Sequence, residues 1–343
     1  MSARRQAIEA LRAIPDPVLP DLPFEVVPFQ PEHAEGLARL FLTVYDDAYP
    51  IDAYYIPDAI RVEQESGNVR SMVARLEDGS IAGHIALYRS SPPFKGLLEC
   101  GLGMTHPHYR SSFMLFFLFK ELIEGPATAP EVAAIYGEAV CDTIATQHLS
   151  SLYGFMETGM ELDLLPDKGE GRVSCLYQSR DTGAPGRIVH VPPGLEDALA
   201  FFMDGYEPSR TAIAAEGGLT EAATEAVVEF FDFAGVLRVH VTRPGTDFME
   251  YVRAREEDAA RKGCVNVQWF LNLGVPECGV AAAILLERGC FPAGFIPRWF
   301  DDDGVLLQKL IAEPEWERSQ LYSDRAREIL NRLRGSYRER AGA

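Results

Sequence analysis

The chain has 343 residues, which exceeds what one hydrophobic core usually serves and leads us to expect two domains of roughly 150 residues. Lys plus Arg total 32 against 51 Asp plus Glu, a net charge of −19 that repels phosphate backbones and anionic headgroups, so nucleic acid and membrane surfaces are excluded as expected partners. A field of this sign serves solubility and also suits a cationic acceptor such as an amine.

No segment approaches the roughly 18 uninterrupted apolar residues of a membrane span, and "MSARRQAIEALRAIPDP" has no apolar run before a small-residue cleavage site. A cytoplasmic protein is the expectation. Cys100, Cys141, Cys175, Cys264, Cys278 and Cys290 are scattered without a C-x-x-C pair, and are read as free thiols.

Ile8, Leu11 and Ile14 recur at helical spacing, so a short amphipathic helix precedes Pro15, Pro17 and Pro20. "FEVVPF" from Phe24 reads as a strand, and "PEHAEGLARLFLTVYDD" as a helix with Leu37, Leu40, Phe41 and Val44 along one face. Arg70 to Ala74 and Ile81 to Tyr88 form a hairpin, because Asp78-Gly79 supplies the positive φ of a tight turn. Leu97 to Thr105 is a third strand. "SSFMLFFLFKELIEG" is a helix with Ser111 or Ser112 as N-cap and Gly125 as its stop. "VAAIYGEAV", "TIATQHLSSLYGF", "METGMELDLLP" and "RVSCLYQ" add a strand, a helix and two strands. The order β-α-β-β-β-α-β-α-β-β implies a mixed sheet with helices on both faces, an α/β (α+β mixed sheet) fold.

"PDKGEGR" and "RDTGAPG" punctuate the chain near residue 185, and the element order then begins again. "RIVHVP", a helix around Leu195 to Tyr206, "AVVEFFDF", "VLRVHV", "DFMEYVRAREEDAARKG", "CVNVQWFLNL", "CGVAAAILLERG", "FPAGFIP" and "VLLQKL" make up the second half. The charged tail, with Leu321, Ile329 and Leu333 on one side, reads as a docking or homodimer helix. The expected division is 1–22, N-terminal helix and linker; 23–185; 186–312; and 313–343, C-terminal helix.

Chemistry concentrates in "LLECGLGMTHPHYRSSFMLFFLFKEL", where a strand ends at His-Pro and an Arg-Ser-Ser loop opens a helix. Such a junction leaves amides unpaired at the positive end of the helix dipole, a place for an anion. Elsewhere, His148 reads as an ordinary helix histidine, Cys141 as a thiol with no partner base, and Asp301, Asp302 and Asp303 as a solvated turn lacking the spacing of a calcium loop.

"THPHYRSS" followed by an apolar helix resembles the acyl-CoA pyrophosphate loop of the GNAT acetyltransferases, whose pattern is strand, x-P-x-Y-R, glycines, helix. Tyr109 and Arg110 stand at that motif's tyrosine and arginine, while Phe113 and Leu115 replace its glycines three and five positions after the arginine. "YDDAYPIDAYYIPDAI", "SMVARLEDGSIAGHIAL", "GEAVCDTIATQHLSSLYGFMETGMELDLLP" and "GCFPAGFIPRWFDDDGVLLQKL" resemble, in order, the acetyltransferase-like region fused to anti-sigma-factor kinase domains.

The resemblance implies two tandem GNAT-like domains, the second degenerate, with acetyl-CoA as acyl donor, a small or protein amine as acceptor, and no metal. It implies Met104, Thr105, Tyr109, Arg110, Ser111, Ser112 and Phe113, with Cys141 and Asp142, as cofactor-binding. Glu99, on the strand before the loop with Gly101 and Gly103 on its side, stands as the base. The family's acid is a tyrosine four residues before a Gly-Phe pair. Counted from Gly159-Met160 this position is Phe155, so Tyr153 is the nearest proton donor, and Thr143 stands where this subgroup has histidine. These departures leave two readings, an acyltransferase and a non-catalytic acyl-CoA-binding regulatory protein. In the second half Pro244-Gly245-Thr246-Asp247 replaces the arginine-and-small-residue run, so that half is expected to bind no CoA.

Overall fold

The computed structural model describes residues 2–167, 171–183, 185–220 and 222–341. The centre of "PDKGEGR", one residue of "RDTGAPG" and the last two residues lie outside these. Contacts group the chain into two compact units, Met1–Ser90 with Leu98–Val132, and Ser91–Leu97 with Ala133–Ala343. The mixed α/β class is the one expected. Among the described residues no helix is long and apolar enough to cross a membrane.

The first unit runs α1 (Ala3–Arg12), β1 (Phe24–Pro28), α2 (Ala34–Tyr45), α3 (Pro57–Glu65), β2 (Val69–Leu76), β3 (Ile81–Tyr88), β4 (Leu97–Thr105) and α4 (Met114–Glu124). Its strands lie in the order β1-β2-β3-β4, all antiparallel. Asp78 turns the β2–β3 hairpin by accepting from the Ser80 amide at 2.9 Å, with Gly79 at φ +87°. Phe41 of α2 meets the His84 ring at 6.0 Å, whereas Met114 and Leu118 of α4 close on Gly83, so helices cover both faces of β3. Two local expectations are corrected. Ile14 lies beyond the end of α1 and is 53% exposed, and α3 was not anticipated because Ile60 is its one buried residue.

The second unit runs β5 (Ala134–Val140), α5 (Ala145–Leu152), β6 (Met156–Pro166), β7 (Arg172–Asp181), β8 (Arg187–Val191), α6 (Glu196–Met203), β9 (Arg210–Ala214), β10 (Glu225–Phe231), β11 (Val236–Arg243), α7 (Phe248–Lys262), β12 (Asn266–Asn272), α8 (Cys278–Glu287), β13 (Phe291–Phe300), β14 (Asp302–Leu310) and α9 (Asp324–Ala341). Within it the strands follow β5-β7-β6-β13-β14-β12-β11-β10, with β8 and β9 paired separately. Outward from a β6–β13 seam, the three strands nearest it run β6-β7-β5 on one side and β13-β14-β12 on the other. Gly154 and Gly289 each end a helix at positive φ, and five residues later Gly159 and Gly294 pair across that seam. A Cβ on Gly159 would lie 2.5 Å from Gly294 Cα, so the backbones approach as only two glycines permit. Ala326, Ile329 and Leu333 of α9 are buried in this unit's core, which makes the tail a docked helix.

Arg238 on β11 donates to Gln268 Oε1 at 2.7 Å, Glu161 Oε1 at 2.9 Å and Glu138 Oε1 at 3.1 Å. In strand order β5 and β11 are six steps apart, roughly 29 Å in a flat sheet, so this sheet curls until they face each other. Trp299 and Phe270 stack inside the curl at 4.4 Å, and Tyr136 meets Trp299 at 5.5 Å. Burial opposes the Arg238 charge, but Glu138 and Glu161 hold the guanidinium above its ordinary value. Arg238→Ala leaves Glu161, 1% exposed, without its guanidinium, and is expected to cost about 3–5 kcal/mol of stability. Chemical denaturation checks this, and a loss under about 1 kcal/mol would show that the pair does not hold the curl.

Candidate functional site

β4 carries one more residue than its partner. His84 pairs with Met104 and Ala86 with Gly101, so three steps on β4 match two on β3. The extra residue is absorbed at Leu102, at φ +56°, between two glycines. A bulge reverses which face the following side chains take. A Cβ on Gly101 would meet the Tyr88 ring, whereas one on Gly103 would meet Ile85 and Leu115 on the opposite face. Glu99 and Gly101 therefore share a side as expected, and Gly103 does not. His84, fully buried, pins the bulge: Nδ1–H donates to the Leu102 carbonyl at 3.0 Å and Nε2 accepts from Ser71 Oγ at 2.8 Å. Burial pushes its imidazole down to about 4, which keeps this neutral tautomer in place.

Past β4, a single turn at Pro107–Tyr109 leads into Arg110 and Ser111, both exposed. Arg110 makes no hydrogen bond or ion pair among the described residues. The N-cap of α4 is Phe113, which corrects the assignment to Ser111 or Ser112. Ser112 Oγ instead donates to the Tyr109 carbonyl at 2.7 Å and accepts from the Met114 amide at 3.2 Å, one residue before the cap. Phe113 is 77% exposed beside these first-turn amides. Met104 is buried in the first unit's core and Thr105 pairs with Gly83. Tyr109 points away from the loop. Its hydroxyl lies 2.9 Å from the Leu19 carbonyl and accepts from the Leu22 amide at 3.1 Å, so it fastens the N-terminal segment. His106 Nε2 reaches Asp16 at 3.0 Å and fastens the same segment.

Glu99 faces Tyr88 across the β3–β4 pair and accepts a hydrogen bond from its hydroxyl at Oε1. Phe41, Tyr49 and Tyr54 form an aromatic group in which Phe41 stacks on Tyr54 at 4.5 Å and meets Tyr49 at 5.0 Å. Burial and the charge of Glu99 both push the Tyr49 and Tyr54 phenols up, so they stay protonated. Tyr45, 37% exposed, extends the group to solvent.

Cys141, Asp142 and Tyr153 belong to the second unit. Cys141 is fully buried, and burial pushes its thiol up to about 12, which removes it as a nucleophile. Asp142 is exposed, and Thr143 Oγ1 accepts from the Ala145 amide at 3.4 Å. Because α5 ends at Leu152 and Gly154 takes φ +76°, the Gly-Phe pair after that helix is Gly154-Phe155, and the residue four before it is Ser150. Gly159-Met160, by contrast, lies inside β6. Tyr153 is the C-cap of α5, Phe155 is buried, and the His148 ring stacks on Tyr322 at 4.4 Å.

The Asp301–Asp303 turn is not solvated throughout, since Asp303 is buried and bound to Arg210 at 2.8 Å. Asp301 meets Arg298 at 3.0 Å. Among the described residues no group of His, Cys, Asp and Glu is arranged to hold a metal.

No protein-family model matches the chain, and no curated protein does. Among solved structures the chain is similar to a GNAT-family acetyltransferase from Streptococcus pneumoniae, 15% identical over 46% of this chain and 99% of that one, with a TM-score of 0.41. A putative acetyltransferase from Acinetobacter baylyi is 20% identical over 48% of this chain and 95% of that one, with a TM-score of 0.40. A further GNAT-family acetyltransferase, from Staphylococcus aureus, is 17% identical over 47% and 100%, with a TM-score of 0.36.

His84 yields a pH prediction. Its folded value lies below the ordinary 6.5, so its contribution is present above pH 6.5 and is lost as pH falls toward about 4, where the unfolded chain takes up a proton that the fold refuses. The stability difference between wild type and His84→Gln is expected to shrink by about 2 kcal/mol from pH 7 to pH 5. A difference constant with pH would mean that His84 is not held neutral.

Proposed function

We propose that the chain is an acyl-CoA-dependent N-acyltransferase of GNAT type, acting in the cytoplasm on an amine acceptor. The observation that carries this reading is the run from the bulged β4 through one turn into Arg110, exposed and without a side-chain partner among the described residues, and the first turn of α4. The amides at the positive end of a helix dipole, of which Met114's is turned to Ser112 Oγ, beside a guanidinium that makes no ion pair among the described residues, suit a diphosphate. Ser111 and the Phe113 ring flank the same turn, and Phe113 offers a flat apolar surface to the rest of the donor.

Glu99 supplies the base. It takes one proton from the acceptor's ammonium, the nitrogen lone pair forms the N–C bond, and the C–S bond breaks with its electrons leaving on the CoA thiolate. The amide nitrogen then loses its extra proton, so the balance is ammonium plus thioester to amide plus thiol plus one proton. Proximity of a deprotonated amine to a thioester provides most of the acceleration, with the carboxylate adding proton transfer. We assign no step to Cys141, whose thiol is buried and protonated.

The division into 23–185 and a degenerate 186–312 belongs to this proposal. In support of degeneracy, β11 and β12 pair in parallel through six successive residues, Val236 to Val241 with Asn266 to Leu271, which leaves no opening between them. Asp247 stands at the N-cap of α7, where hydrogen bonds from Thr224 hold its carboxyl below the usual range. A fixed carboxylate there repels a phosphate.

Calorimetry with acetyl-CoA should therefore give one site per chain, and Arg110→Glu should weaken it on the order of 10- to 100-fold without lowering the melting temperature. Two sites, or unchanged affinity in the variant, would remove the assignment. Thiol release from acetyl-CoA across spermidine, tyramine and an alanine peptide tests turnover, and separates an enzyme from a non-catalytic acyl-CoA-binding protein. In that assay Glu99→Gln should lower the rate about 100-fold near neutral pH with acetyl-CoA affinity nearly intact. Wild-type turnover would discard Glu99 as the base.

A further inference from the structure

Tyr88 is the cross-strand partner of Glu99, and its hydroxyl donates to Glu99 Oε1. Reaching that oxygen takes the ring over the next position on the same face of β4, which is Gly101. A Cβ there would stand 2.9 Å from Tyr88 Oη and 3.1 Å from Cε1, so the missing side chain at 101 is the seat of the ring. Gly101 keeps the same face as Glu99 because the bulge begins only at Leu102. Side chains directly opposite in an antiparallel pair are held close by the ladder itself, and a phenol bound to a carboxylate is a charge-assisted hydrogen bond. Burying an aromatic ring on β3 requires neither a glycine at 101 nor a carboxylate at 99.

We propose that Tyr88 is a positioning residue for Glu99: seated over Gly101, its hydroxyl holds the carboxylate in one orientation and in its charged, proton-accepting form. This rests on the reading of Glu99 as the base. A hydrogen bond to the charged form lowers the pH at which a carboxylate protonates, so its removal raises that pH. Tyr88→Phe deletes the hydroxyl alone. Gly101→Ala leaves it in place but displaces the far end of the side chain, an independent way to the same effect.

The test is a carboxyl titration of the full chain labelled with carbon-13 glutamate, with the Glu99 signal identified by its loss in Glu99→Gln. The midpoint for Glu99 is expected to rise by about 1 on the pH scale in Tyr88→Phe, and in the same direction in Gly101→Ala. The same variants are then assayed for thiol release from acetyl-CoA with the best of spermidine, tyramine and the alanine peptide. The acid limb of the rate profile should move up with the midpoint, acetyl-CoA affinity should stay unchanged, and the rate above the acid limb should fall severalfold as the carboxylate loses its fixed orientation. A titration midpoint that does not move in Tyr88→Phe overturns the proposal, even if Gly101→Ala fails to fold. A slowed Glu99→Gln with an unmoved acid limb in Tyr88→Phe overturns the positioning role and leaves Glu99 as base. Wild-type turnover in Glu99→Gln overturns the base reading itself, and with it any catalytic sense of the Tyr88 contact.

Discussion

The single inserted residue in β4 is the constraint on which the candidate site depends. A leucine in the left-handed region costs about 1–2 kcal/mol, and a strand would ordinarily remove it. Here Leu102 stays because its carbonyl accepts a hydrogen bond from a buried, neutral His84, itself held by Ser71. Before the bulge, Glu99 and Gly101 look toward Tyr88; after it, Gly103 looks toward Ile85 and Leu115 of the other face. The strand thus presents a carboxylate on one side and still runs into the loop that starts α4. Without the extra residue, every side chain from Met104 onward would change faces.

The second unit is organised by different physics. Two arginines, Arg238 and Arg210, are buried with carboxylates from strands far apart in the chain, Glu138 and Glu161 for one and Asp181 and Asp303 for the other. Ion pairs of this kind contribute little net stability compared with apolar substitutes, but a mispaired strand would leave a bare charge in the interior. They therefore discriminate one curl and one register from the alternatives. The acidic balance of the whole chain is mostly a surface property, while inside this unit charges of both signs are matched.

The sequence was most readable where local chemistry decides the structure. Asp78-Gly79 announces its hairpin, Gly263 ends α7 in the left-handed conformation, and Ile329 and Leu333 mark the buried side of α9. It was least readable where a distant group decides. Gly101 and Gly103 permit a bulge in β4, but what makes Leu102 tolerable there is His84, on the neighbouring strand. Tyr109 matched a ligand-binding motif, yet its hydroxyl is taken by Leu19 and Leu22, some 90 residues earlier. Ser112 has the chemistry of an N-cap but spends it one position early, so Phe113 holds the cap. α3 escaped because Pro57 and one buried isoleucine give no helical stripe.

The glycine seam between β6 and β13 also bears on how the chain is made. β6 ends at residue 166 and β13 begins at residue 291, so 291 − 166 = 125 positions separate the two edges. At a synthesis rate of about 5–20 residues per second, β6 waits roughly 6 to 25 seconds on the ribosome before its partner exists. Through that interval Gly159 offers a flat strand edge with no side chain to obstruct another peptide. Closure of the second unit is necessarily a late, non-local event, completed when α9 emerges and covers β13 and β6. Nascent chains halted between residues 166 and 291 would carry that edge open.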